Sequence, residues 1–226
     1  QRPFSRLELR TRVAAMLRLT QTRRRNEALQ AVLFNLAEAV EARDSRCKTG
    51  GGDRAALARR IGEALGLPPP ELEALDRGMR LLDLGMIAVP EALLLRSRLS
   101  PKERRIYQSH PEVGYRLLKP LAEDPLLLAI VRSHHECLDG SGYPDRIRGE
   151  ELPRVVRIAA VVDQYFRGLA TLAGVEESTR SAQVLSRLEK EAARGRLDPQ
   201  VVQTLERIVH EMHPITESTS HETSKP

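Results

Sequence analysis

The sequence has no tryptophan, and its aromatic share is only 3%. A surface that stacks nucleic-acid bases needs aromatic rings interleaved with basic residues, so this composition argues against DNA as a partner. There are two cysteines, Cys47 and Cys137, with no C-x-x-C spacing. That excludes a disulfide scaffold and fits a reducing, cytoplasmic setting. No apolar run approaches the ~20 residues of a membrane span; the longest, Leu126 to Val131, is a core segment. Apolar and polar residues nowhere alternate for long, so no strand is expected. No histidine precedes His110.

What is present is apolar content of 41% in a chain of 226 residues, enough to fill one good-sized core. The net charge is +5 and unevenly spread. Residues 1–60 carry fourteen Arg and Lys against six Asp and Glu, and the remainder carries twenty-two against twenty-five. The basic excess therefore lies on the N-terminal stretch, as a solvated helix face.

The periodicity is helical throughout, so the fold class is all-α. A first helix is expected from Ser5 to about Leu19, and a second from about Thr20 to Arg43. In the second, Leu29, Leu33, Leu36 and Val40 step by 4, 3 and 4 residues. Such a stripe can pair with a second copy or pack on the rest of the chain. Gly50-Gly51-Gly52 reads as a break, because glycine runs disfavour helix. Further helices are expected over 53–66, 71–84, 124–135, 154–172, 178–193 and 198–212. Ser100-Pro101-Lys102-Glu103 has the form of a capping box, and Pro111 interrupts or kinks the segment beyond it. Residues 136–153 form a Gly- and Pro-bearing loop, and 216–226 a disordered polar tail.

Metal chemistry needs imidazoles and carboxylates brought together. The tandem His134-His135 ends a helix, His110 precedes Pro111, and Asp83 and Asp163 each sit in an apolar stretch. A carboxylate flanked by apolar residues tends to be buried, where it needs a metal or an ion-pair partner. The residues alone leave these two open. His210, His213 and His221 read as exposed.

His134-His135-Glu136, followed by Asp139-Gly140-Ser141-Gly142-Tyr143-Pro144, resembles the signature of HD-GYP domains. These are bacterial members of the HD phosphohydrolase superfamily that hydrolyse cyclic di-GMP. The resemblance spans about residues 27–210. It also takes in Glu41 to Asp44, Ile87 to Pro90, His110-Pro111 and Arg196 to Pro199. It implies an HD-type helical bundle preceded by a long helical linker. Arg2-Pro3-Phe4, with Glu8, Leu9, Arg12 and Val13, resembles the end of a receiver domain. That implies four segments: 1–19 as the last helix of a truncated receiver, 20–48 as linker and first bundle helix, 49–215 as the HD-GYP-like domain, and 216–226 as tail.

The departures from the family pattern fall at the metal site. The family's His-Asp pair stands here as Leu82-Asp83. Its first histidine falls in the glycine stretch at Gly52, and the lysine after the pair is Met86. By resemblance, one ion keeps only Asp83 and Asp163, whereas the other keeps Asp83, His110, His134 and His135. The expectation is one divalent transition metal ion (iron, manganese or zinc), no two-metal centre, and hydrolysis absent or very weak. The resemblance further implies an output module of a two-component response regulator. Its Gly142-Tyr143-Pro144 loop would contact a diguanylate cyclase (GGDEF) protein, with cyclic di-GMP as ligand, a receiver upstream and a homodimer formed through the linker. Two rivals are an active cyclic di-GMP phosphodiesterase, with Glu136, Asp139 or His210 replacing the lost ligands, and a ligand-free relay module. If nucleotide binds, Arg132, Arg146, Arg148 and Arg167 are the nearby cationic donors.

Overall fold

The computed structural model describes residues 6–43, 51–96, 98–122 and 124–212. The Arg2-Pro3-Phe4 turn, Cys47, Gly50, His213 and the 216–226 tail lie outside the described residues. Ten α-helices and two short 3₁₀ turns make up the described fold, with no β-strand among these residues. The all-α expectation holds.

The two expected N-terminal helices are one continuous helix, α1 (Arg6–Glu41, 36 residues), about 54 Å long at 1.5 Å per residue. No proline or glycine lies between its ends, so nothing local stops it at residue 19. Its Leu–Val stripe divides between two environments. Ala37 and Val40 are buried against the bundle and Leu33 is half-buried, whereas Leu29, Val32 and Leu36 are 40, 61 and 41% exposed.

The glycine stretch is not a helix break throughout: α2 (Gly51–Ala64) begins on two of its glycines. A Cβ on Gly51 would lie 3.2 Å from the Arg80 Cα, so glycine lets the start of α2 approach the end of the next helix. That helix, α3 (Pro69–Arg80), ends before Asp83. The sequence places Asp83 inside a helix over 71–84; instead it sits at the head of a 3₁₀ turn, Leu84–Ala88. One turn of helix, α4 (Glu91–Leu94), leads to α5 (Pro101–Gln108), where Ser100 and Glu103 form the expected capping box. Pro111 starts a new helix, α6 (His110–Leu118), rather than kinking an old one.

Helix α7 (Pro125–Ser133) ends at the tandem histidines. Asp124 caps it, accepting from the backbone N–H groups of Leu126 (2.9 Å) and Leu127 (3.3 Å). Because α7 carries His134, the cap anchors the site as well as the helix. Asp124→Ala is expected to cost about 1 kcal/mol, read as a lower urea midpoint with unchanged slope; an unchanged midpoint contradicts this.

The 136–153 loop includes the second 3₁₀ turn, Gly149–Glu151. It leads to α8 (Arg154–Thr171), α9 (Glu177–Ala193) and α10 (Pro199–Met212). Helix α8 is buried on nearly all sides through Ile158 to Asp163, which makes it the central element. Around it Ile61, Leu75, Met79, Ile130, Leu188 and Leu205 form the main core. Among the described residues, no helix is long and apolar enough to cross a membrane.

Candidate metal centre

Asp83 (between α3 and the 3₁₀ turn), His110 (start of α6), His134 and His135 (end of α7) and Asp163 (mid-α8) converge at the heart of the bundle. His110, His134 and Asp163 are fully buried. The local structure aims the rings. His110 Nδ1 donates to the Tyr107 carbonyl at 2.8 Å, and His134 Nδ1 to that of Val131 at 3.0 Å. Both Nε2 atoms then point inward, 3.3 Å apart. Asp83 Oδ1 faces them, at 3.5 Å from His110 and 4.0 Å from His134. One ring nitrogen of each of the three histidines lies within 4.8 Å of the others, and the cluster could hold a metal ion.

His135 is engaged differently. Arg167 Nη1 donates to its Nε2 at 3.2 Å, and its Nδ1 faces Asp163 Oδ2 at 3.6 Å. Tyr143 lies against the ring, with centroids 4.7 Å apart. Arg167 also donates to the Tyr107 hydroxyl at 2.7 Å and lies 3.7 Å from Asp163. It faces a cleft of about 420 Å³ lined in part by Tyr143, Arg187 and Arg196.

The electrostatics favour cation binding. Burial pushes the His110 and His134 rings down to about 4, and His135 well below its ordinary value, so all three are neutral near pH 7 with lone pairs to offer. Burial works against the Asp83 carboxylate, but Arg54, followed by His110 and His134, outweighs it and holds Asp83 below the usual range. Burial also raises Asp163, against the pull of Arg167. Neither Asp163 oxygen accepts a hydrogen bond, although the side chain is fully buried; Arg54, Arg167 and His135 lie 3.6 to 3.7 Å from them. On the other side, neutral imidazole nitrogens facing the Asp83 Oδ1 fit a divalent transition metal by donor chemistry.

The histidine shifts also fix a pH dependence. In the unfolded chain these rings titrate near 6.5; in the metal-free fold they stay neutral to about 4. At these rings the unfolded state binds more protons below pH 6.5, so their part of the stability is complete above that pH and is lost as pH falls towards 4. The buried Glu41 and Asp163 carboxyls, raised by burial, take up protons on folding in the same window and offset part of this loss. Chemical denaturation of metal-free protein at pH 7.5 and 5 is therefore expected to show a smaller loss, or a gain, of stability at pH 5 in His134→Gln than in the unsubstituted protein; the same difference in both contradicts the burial of a neutral ring.

One residue of this centre was not anticipated from the sequence. Arg54, on α2 and 1% exposed, donates from Nη1 to Asp83 Oδ2 at 2.9 Å and lies 3.7 Å from Asp163 Oδ1. Its Nη2 bonds the Glu41 carboxylate, which also accepts from the Gly51 N–H at 3.0 Å. Burial pushes the Glu41 carboxyl up to about 7, with Arg54 pulling the other way. The signal was available: Arg54 shares a helix face with Ala58 and Ile61, both fully buried.

The three residues read from the sequence as departures from the resembled pattern occupy ordinary packing positions. Leu82 is in the main core, Met86 packs with Val40, Val89 and Leu94, and Gly52 lies in the first turn of α2. The side chains considered as substitute ligands are engaged elsewhere. Glu136 Oε1 accepts from the N–H groups of Asp145 (2.6 Å) and Arg146 (2.9 Å), bracing the signature loop. Asp139 accepts from the Ser141 N–H at 2.8 Å, and His210 is exposed on α10. Gly140 adopts φ 77°, and Gly142 packs so closely that a Cβ there would lie 2.4 Å from the Glu136 Cα. Pro144 follows a cis bond from Tyr143. Of the four arginines considered for anion binding, only Arg167 lines the cleft. Arg132 pairs with Asp145 through two bonds of 2.7 and 2.8 Å, and Arg146 and Arg148 are exposed.

Comparison with known proteins places this geometry in context. A family model described as "HD domain" matches residues 15–201. The cyclic di-GMP phosphodiesterase response regulator RpfG of Xanthomonas campestris pv. campestris is 34% identical over 209 residues, covering 88% of this chain and 52% of that protein. The 3'3'-cGAMP-specific phosphodiesterase 2 of Vibrio cholerae is 33% identical over 184 residues, covering 79% of this chain and 34% of its own. The chain thus spans only about a third to a half of these relatives' length. Among solved structures, an HDG"Y"P protein from Bdellovibrio bacteriovorus superposes with a TM-score of 0.59 at 23% identity, covering 70% of this chain and 51% of that one. A cyclic GMP-AMP-specific phosphodiesterase of V. cholerae superposes with a TM-score of 0.62 at 18% identity, covering 82% and 49%. These two show a shared fold.

Proposed function

The chain belongs to the HD domain family, and we propose that it is an HD-GYP-like output module of a two-component response regulator in cyclic di-GMP signalling, with a one-ion centre and little or no hydrolysis. The observation that carries this reading is the division of Asp83. Its Oδ1 faces the His110 and His134 nitrogens, while its Oδ2 is bonded to Arg54. His110, His134 and Asp83 would hold the ion, with His135 as a fourth donor once released from Arg167. When bound, the ion supplies Lewis acidity towards a phosphodiester oxygen or a water.

The chain's own residues do the rest. Arg167 offers a charge to an anionic ligand entering the cleft beside Tyr143. Met86 has no proton or charge to offer where the resemblance implies a lysine, so charge developing in a transition state lacks that partner. Function then rests on binding: cyclic di-GMP in the cleft, and a diguanylate cyclase-type partner at the Gly142-Tyr143-Pro144 loop. A receiver domain upstream would deliver the signal along α1. The exposed Leu29, Val32 and Leu36 suit a homodimer there.

The experiment pairs a binding readout with a turnover readout. Cyclic di-GMP is expected to raise the melting temperature of Mn²⁺-loaded protein, while micromolar protein with Mn²⁺ or Fe²⁺ releases no linear dinucleotide or GMP. Sustained product release would favour an active phosphodiesterase. No thermal shift with either metal or nucleotide would favour a ligand-free relay module.

A further inference from the structure

Asp83 and Asp163 are the two surviving carboxylates of an ion whose two histidine ligands stand here as Gly52 and Leu82. Two buried carboxylates facing each other without a cation repel and are strongly penalised by desolvation. Arg54 meets both of them: its Nη1 is 2.9 Å from Asp83 Oδ2 and 3.7 Å from Asp163 Oδ1, while Nη2 holds Glu41. The side chain is 1% exposed, so it is built into the centre rather than visiting it.

We propose that the Arg54 guanidinium is the second cation of this centre, a fixed charge in place of an exchangeable ion. The proposal rests on the one-ion reading and adds the reason for it. A guanidinium stays protonated at any physiological pH, and its planar fork reaches several carboxylates at once. A divalent ion placed between Asp83 and Asp163 would meet that charge at ion-pair distance and be repelled. Asp83 bonds Arg54 through Oδ2 and faces the His110 nitrogen through Oδ1, so with an ion held on the histidine side it would serve two positive centres. The arrangement keeps a positive charge at the second position, one unit where a divalent ion would bring two, but not that ion's chemistry. A guanidinium has no open coordination position at which to bind and ionise water, so it neutralises the carboxylates without generating a nucleophile.

The test counts bound Mn²⁺ by metal analysis and follows thermal stability in the unsubstituted protein and in Arg54→Gln and Arg54→Lys variants. The unsubstituted protein and Arg54→Lys are expected to bind no more than one equivalent. Arg54→Gln is expected to take up an additional, weaker equivalent and to gain at least about 5 °C more in melting temperature on Mn²⁺ addition than the unsubstituted protein. Two equivalents in the unsubstituted protein overturn the proposal, as does an Arg54→Gln variant with the same count and the same thermal gain. Zero equivalents in the unsubstituted protein overturn the one-ion reading instead; the gain or lack of gain in Arg54→Gln then decides the role of Arg54. If Arg54→Gln does not fold with or without Mn²⁺, the Arg54→Lys count decides, with two equivalents overturning the proposal and one or none upholding it.

Discussion

His134→Ala is expected to lower the affinity for Mn²⁺, Fe²⁺ or Zn²⁺ by at least about 100-fold, since loss of even an outer-sphere partner costs 10–100-fold. The ring stands at the middle of the cluster, fully buried. It is fixed by the Val131 carbonyl at 3.0 Å and faces both His110, at 3.3 Å, and Asp83, at 4.0 Å. Glu136, two residues on, has its Oε1 committed to the backbone of the signature loop. Competition against a chromogenic chelator measures the change. An affinity within about threefold of the unsubstituted protein would remove His134 from the proposed ligand set.

Gly85→Ala has the other large effect, and it acts through the backbone. A Cβ at Gly85 would lie 1.9 Å from the His110 carbonyl oxygen and 2.5 Å from the Gly114 nitrogen. Those are main-chain atoms of α6, so no rotamer change can relieve the overlap. Either α6 moves as a unit or the 3₁₀ turn unwinds, and both separate His110 from Asp83. The expected cost is about 3 kcal/mol or more, with a parallel loss of metal affinity. Urea denaturation measures the first and chelator competition the second. A variant within about 0.5 kcal/mol of the unsubstituted protein contradicts the close packing of turn and helix.

Much of this centre was legible in the sequence because its residues carry local signals. Tandem histidines at a helix end, a Gly- and Pro-bearing loop after them and carboxylates inside apolar stretches are all visible without a structure. In the fold, Asp83, His110, His134, His135 and Asp163 lie together. The parts that were missed depend on packing between distant segments. Gly51 and Gly52 read as a break, yet they begin α2, where glycine allows a close approach to the end of α3: a Cβ at Gly51 would lie 3.2 Å from the Arg80 Cα. Asp83 read as helical because leucines flank it, but α3 stops at Arg80 and hands it to a turn. Arg54 was overlooked because arginine is rarely fully buried. The carboxylates of Glu41, Asp83 and Asp163, contributed by three other segments, make its burial tolerable. The division expected at residue 19 has no proline or glycine behind it, and α1 runs through it.

The histidine pair, the Asp83 bridge and Arg54 together describe a centre with one exchangeable position and one permanent charge. On the proposed function, the capacity to generate a nucleophile depends on that count. Anomalous diffraction from crystals grown with excess Mn²⁺ tests it most directly. A centre of this kind gives one anomalous peak, bounded by His110, His134 and the Oδ1 side of Asp83, with Arg54 still between Asp83 and Asp163. Two peaks, or one lying between Asp83 and Asp163 with Arg54 displaced, would contradict it.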